Sequence, residues 1–152
     1  GEADDKATTN DAIIAAKSLI NNYPDMTAIM GIDSSSGSGI ANAMQELKIE
    51  AGKYKVVVHD REPATLDFIE KGFIDATLIN KTAGQEVVAM LVLEDWNNGG
   101  LKNMPISSDN AAAGINPVPD NMYNTAVVID ADNVEYFKSD AMPKLETDLY
   151  NR

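Results

Sequence analysis

Apolar positions in this chain fall into two rhythms: short continuous runs that read as strands, and helically spaced stripes that read as amphipathic helices. Ala12, Ala16, Leu19, Ile20 and Tyr23 recur at helical spacing and predict a helix over residues 10–22, stopped by Pro24. The run TAIMGI at 27–32 predicts a buried strand, after which Ile40, Ala43, Met44 and Leu47 form a helical stripe. YKVVVH at 54–59 predicts a second strand; Pro63 then suits a first helical position, Leu66 and Ile69 face inward, and Gly72 ends the helix. IDATLI at 74–79 repeats the move, with Thr82 and Gln85 in capping-box spacing at the head of a helix reaching Trp96. Strands alternating with helices in this way predict right-handed crossovers and an α/β fold, a parallel sheet in a three-layer, Rossmann-like α/β/α arrangement.

The rhythm breaks after Trp96. The stretch 97–124 is rich in Asn, Gly and Pro and too long for an ordinary connection inside one compact domain. It yields to TAVVID at 125–130, a strand, and then to a short helix begun by Asp132 with Glu135 in capping-box register. The tail from Pro143 to Tyr150 is expected to add a turn or two.

Composition narrows the chemistry. At 152 residues and 44% hydrophobic the chain has enough apolar material for one core. Its 24 acidic against 12 basic residues, a formal charge of -12, argue against a nucleic acid partner. With no cysteine and His59 the sole histidine, neither disulfides nor a thiolate or imidazole metal set is expected, and no cofactor motif occurs. No run is long enough to span a membrane, and the polar start GEADDKATTND is not a signal peptide.

The stretch GIDSSSGSGIANAM at 31–44 resembles a flexible spacer, yet a predicted strand and helix flank it. A dinucleotide fingerprint fails because Gly37 and Gly39 are followed by Asn42 where a third glycine is needed. No Gly-Lys-Ser/Thr follows for a P-loop, and no G-x-S-x-G is present for a nucleophile elbow. What remains is a turn whose serines, Ser34 and Ser35 among them, can cap the helix and whose amides can meet a polar ligand. Asp33, Asp60 and Asn80 each follow an apolar run, so in a parallel sheet they are expected on one ligand-binding rim. The competing expectation is that they merely cap turns and helix starts. Arg61 is a further candidate, able to bridge hydroxyls or a carboxylate, and equally able to be a solvated loop charge.

The segments NNYPDMTAIMGIDSSSGSGIANAMQEL and KVVVHDREPATLDFIEKGFIDATLINKTAGQEVVAML together resemble the C-terminal portion of a ribose/galactose-type (type I) periplasmic sugar-binding protein of ABC transporters. The resemblance rests on Pro24-Asp25 before a strand, Gly39 to Ala43 in the following helix, Asp60 at a strand end, and the strand from Gly72 to Asn80. It implies one lobe of a two-lobed protein, with residues 82–98 belonging to the other lobe's crossover and 97–124 joining the lobes. An N-terminal lobe would precede this segment. By the same resemblance the chain is not an enzyme: it takes a small carbohydrate or polyol, without cofactor, for delivery to a membrane ABC transporter permease or for sensing, outside the cytoplasm. Carried over position by position, the ligand contacts fall on Asp33 and Ser34, where the family usually has Asn-Asp, then on Asp60, preceded by His59, and on Asn80. An effector lobe of a LacI-type repressor, with the same fold, and a receiver-like phosphoacceptor domain using Asp60 are the alternatives.

Overall fold

The computed structural model describes residues 1–100, 103–119 and 121–138. The expected tail helix at 143–150 lies outside the described residues. The elements run α1 (Thr9–Asn22), β1 (Ala28–Met30), α2 (Ser34–Glu46), β2 (Lys55–His59), α3 (Pro63–Glu70), β3 (Ala76–Asn80), α4 (Thr82–Asn98) and β4 (Ala126–Asp130), followed by a 3-10 turn at Val134–Phe137. The strands form one sheet in the order β1-β2-β3-β4. Its first two pairs are parallel, with Ile29 opposite Val56 and His59 opposite Leu78. Two compact units result: Gly1–Ile79 together with the chain from Val127 onward, and Asn80–Ala126.

In the first unit the helices form where the apolar spacing demands. Thr8 caps α1, its side chain accepting the Asp11 N–H at 3.1 Å, and Ala12, Ala16 and Ile20 are the buried stripe. Pro63 occupies the first turn of α3, and Gly72, at φ +73°, follows its end. Ile29, Val56, Val58, Met44, Leu66, Ile69 and Ile129 make a single core, which α1, α2 and α3 cover as a contiguous layer. Alternation along β2 leaves Val57 half-buried between Val56 and Val58, the period-2 signature of a sheet with one packed face.

The first strand is shorter and less buried than the run TAIMGI predicts. Only Ile29 of β1 is buried; Met30 is 72% and Ile32 82% exposed. β1 lies at the sheet edge, and the chain leaves it at Gly31, whose N–H reaches the Val57 carbonyl at 3.0 Å, to turn into α2. The predicted capping boxes are absent as well. Lys81 stands at the cap of α4 without a side-chain bond, and the Thr82 hydroxyl instead donates to the Asn80 carbonyl at 3.3 Å. After β4 an Asx arrangement wins over the helix start: the Asp132 N–H donates to Asp130 Oδ1 and the Asp130 N–H to Asn133 Oδ1, each at 3.0 Å.

In the second unit α4 extends to Asn98, and Gly99, at φ +80°, supplies the left-handed residue that closes it. Not one residue of α4 is buried. The segment that follows is organised by polar side chains, as Asn110 Oδ1 accepts the Ile106 and Ser107 N–H groups at 3.2 and 3.0 Å. Val88, Val92, Pro119, Met122 and Tyr123 line a groove of about 560 Å³ within this unit.

Candidate functional site

The stretch 34–46 is a helix and not a loop. Ser34, Ser35 and Ser36 lie in the first turn, and the residue before them, Asp33, is the cap. Asp33 Oδ1 accepts the Ser35 and Ser36 N–H groups at 2.8 and 2.9 Å and the Ser35 hydroxyl at 2.7 Å. Burial pushes the Asp33 carboxyl up, but the bonds from the hydroxyl and N–H of Ser35 and from Ser36 outweigh it, bringing its pKa from 3.8 to about 2. Serine capping is thereby corrected: an aspartate satisfies the same amides with a full charge against the positive end of the helix dipole. Those amides are consumed inside the protein. Ser34 is half-buried at the first helical position.

Ser36 reaches the other way. Its hydroxyl lies 2.5 Å from Asp5 Oδ2 and 3.1 Å from Asp33 Oδ1, and its single proton favours the closer carboxylate. This link to the N-terminal segment is invisible in the sequence, because thirty-odd residues separate the partners. A cavity of about 500 Å³ beside β1 is bounded by Asp4, Asp5, Ile29, Asp33, Ser36 and Ile40, and neither His59 nor Asp60 lines it.

The glycines of the stretch have a packing role. A Cβ at Gly37 would come within 2.7 Å of Thr65 Oγ1, and one at Gly39 would run into Ala12. They let α3 and α1 approach α2 closely.

Asp60 follows β2 at its carboxyl end, beyond which ligands collect in open α/β sheets. Its backbone sits in the left-handed region, φ +67°, which Asp tolerates better than most residues. The neighbouring strand holds it there: the Asp60 N–H donates to the Leu78 carbonyl at 2.9 Å, and the Thr77 hydroxyl donates to the Asp60 carbonyl at 2.5 Å. His59 Nδ1 lies 3.4 Å from Asp60 Oδ1, and both side chains are partly open to solvent, at 32% and 46%. The pair offers a carboxylate with several acceptor sites beside an imidazole that can donate or accept, a set suited to vicinal hydroxyls.

The remaining candidates are exposed to solvent. Arg61 is exposed and has no hydrogen bond or ion pair among the described residues. Asn80 is exposed, the last residue of β3 and the first of the second unit. Sequence reasoning missed Thr77, although its place in an alternating strand, opposite Val58, marks it as an inward-facing hydroxyl. Among the described residues no group of three or more His, Asp or Glu side chains is arranged to hold a metal ion, and no helix is long and apolar enough to cross a membrane.

No known family profile and no curated relative matches the chain. Solved structures do. The sugar-binding protein of a sugar ABC transporter from Bacillus halodurans superposes with a TM-score of 0.73 at 22% identity, over 89% of this chain and 45% of that one. AraP, an arabinose binding protein from Geobacillus stearothermophilus, gives 0.72 at 27% identity, over 88% and 43%. An ABC transporter solute binding protein from Agrobacterium vitis, solved with D-fucose, gives 0.62 at 17% identity, over 93% and 42%. This chain has the fold of a portion of a type I periplasmic binding protein. It spans less than half the length of each of those three chains.

Within that binding-protein fold the α/β architecture and its parallel strand pairs agree with the sequence expectation. The serine-rich stretch that the sequence reading took as a turn ahead of the helix is already the start of α2, with Asp33 as its cap.

Proposed function

We propose that this chain contributes one side of a cleft that binds a small carbohydrate or related polyol, for delivery to an ABC transporter permease or for sensing, outside the cytoplasm. The observation that carries the reading is Asp60: a partly exposed carboxylate at the open end of β2, held by β3 on a fold whose solved neighbours are sugar-binding proteins. Asp60 is the anchor and His59 its companion; Arg61 and Asn80 are proposed as further contacts. Asp33, Ser34 and Ser35 contribute through the start of α2, where Asp33 Oδ1 is already engaged by the helix. Binding of a small ligand in a cleft needs contacts from two sides, and we assign the second side to a further lobe, to whose crossover residues 82–98 would belong, with 97–124 joining the lobes.

The receiver-like alternative is less well supported, because it needs a further acidic residue for magnesium beside Asp60 and Asp33 serves as a helix cap. Isothermal titration of the full-length gene product with D-arabinose, D-galactose and D-fucose, against magnesium with acetyl phosphate, separates the readings. Saturable binding of a sugar supports the proposal. Phosphorylation of Asp60 without sugar binding would overturn it.

A further inference from the structure

We propose that Thr77 is a positioning residue, whose hydroxyl holds the backbone of Asp60 in the conformation that presents the carboxylate to ligand; this rests on the reading of Asp60 as the sugar anchor. Thr77 is fully buried and lies opposite Val58 in the sheet, a place where the isosteric valine would be the ordinary choice. A hydroxyl in such a place is costly unless it is bonded. Its partner is the Asp60 carbonyl, at 2.5 Å.

That carbonyl belongs to a residue at φ +67°, where an L side chain is crowded against its own backbone. Two bonds from one strand oppose relaxation: Leu78 takes the Asp60 N–H and Thr77 supplies the Asp60 carbonyl. The first is an ordinary continuation of the parallel ladder between β2 and β3 and survives any side-chain change. The second depends on one hydroxyl. Without it the peptide after Asp60 is free to rotate, and the carboxylate loses the direction that the strand end imposes. Preorganisation of this kind raises affinity by removing the cost of ordering the contact on binding.

The test compares Thr77→Val, which keeps the shape and removes the hydroxyl, with Thr77→Ser, which keeps the hydroxyl; Thr77→Ala serves if the valine variant does not fold. The first readout is the nuclear Overhauser effect between the Asp60 amide and its own Hα, strong when φ is positive because the two protons lie close together. The second is the affinity for D-arabinose and D-galactose. Thr77→Val is expected to weaken the Overhauser effect and lower affinity roughly five- to tenfold, as loss of one hydrogen bond implies, with Thr77→Ser within about twofold of the original. Thr77→Val with the Asp60 signal and affinity unchanged overturns the proposal, as does an equal loss in Thr77→Ser. If neither sugar binds the unsubstituted protein, the sugar reading has failed. The Asp60 signal across the variants then still decides whether Thr77 positions it.

Discussion

Gly39 of α2 lies against Ala12 of α1, so close that a Cβ at position 39 would overlap the alanine side chain and crowd its backbone carbonyl carbon at 3.0 Å. In an ordinary exposed helix, Gly→Ala gains about 1 kcal/mol of helix propensity. Here the overlap with rigid backbone opposes the gain, and Gly39→Ala is expected to destabilise the protein by about 1 to 3 kcal/mol in urea unfolding. A neutral or stabilising result would mean that α1 and α2 are not packed at this distance.

Acid should expose the role of Asp33. Its pKa in the folded protein is about 2 against an ordinary 3.8, so the carboxylate favours folding. This contribution is complete above the unfolded value and is lost as pH falls from about 4 toward 2, amounting to roughly 2 kcal/mol for a shift of that size. Asp33→Ala should therefore be less stable than the original at pH 7, by about 1 to 2 kcal/mol, with the gap closing near pH 2. A gap that persists unchanged at pH 2 would separate the cap from its charge. Asp33→Ser, which keeps an acceptor, should lose less.

Removal of the Asp60 carboxylate should fall mainly on ligand binding, since the side chain is about half exposed, with a smaller loss of stability from placing alanine at φ +67°. Asp60→Ala in the full-length protein is expected to weaken sugar binding by roughly 1.5 to 3 kcal/mol, the scale of hydrogen bonds to a charged acceptor. Calorimetric titration beside a thermal melt distinguishes the two effects. Unchanged affinity removes Asp60 from the site.

The helix α4 presents Val87, Met90, Leu91 and Leu93 to solvent, each more than half exposed. An apolar surface of this kind takes up hydrophobic dyes. Substitution of Met90→Lys with Leu91→Lys should reduce the fluorescence of a bound naphthalene sulfonate dye severalfold while circular dichroism stays the same. Unaltered dye binding would place the accessible apolar surface elsewhere.

Much of this was legible because local spacing carries it. The stripe Ala12, Ala16, Ile20 in α1 and the stripe Ile40, Ala43, Met44 in α2 are buried as their period requires, and Pro63 and Gly72 bound α3. Capping was less legible. Thr82 with Gln85 has the spacing of a capping box and makes none, and the serines after Asp33 were the wrong residues for a cap that Asp33 itself supplies. Several polar residues in a row can all satisfy the same helix amides, and only the backbone angles at the junction choose among them.

By itself the sequence determined the alternation of strands and helices, hence the α/β class and the parallel pairs, because hydrophobic period and crossover handedness are local properties of the chain. It also determined that Asp60 stands at a strand end. Only the tertiary structure decided which partners the polar residues near the strand ends take. Asp33 is drawn into its own helix, Ser36 is bonded to Asp5 across the chain, and the Asp60 carbonyl accepts a hydroxyl seventeen residues further on. Such bonds join residues distant in sequence, and their geometry exists only once the strands and helices have packed.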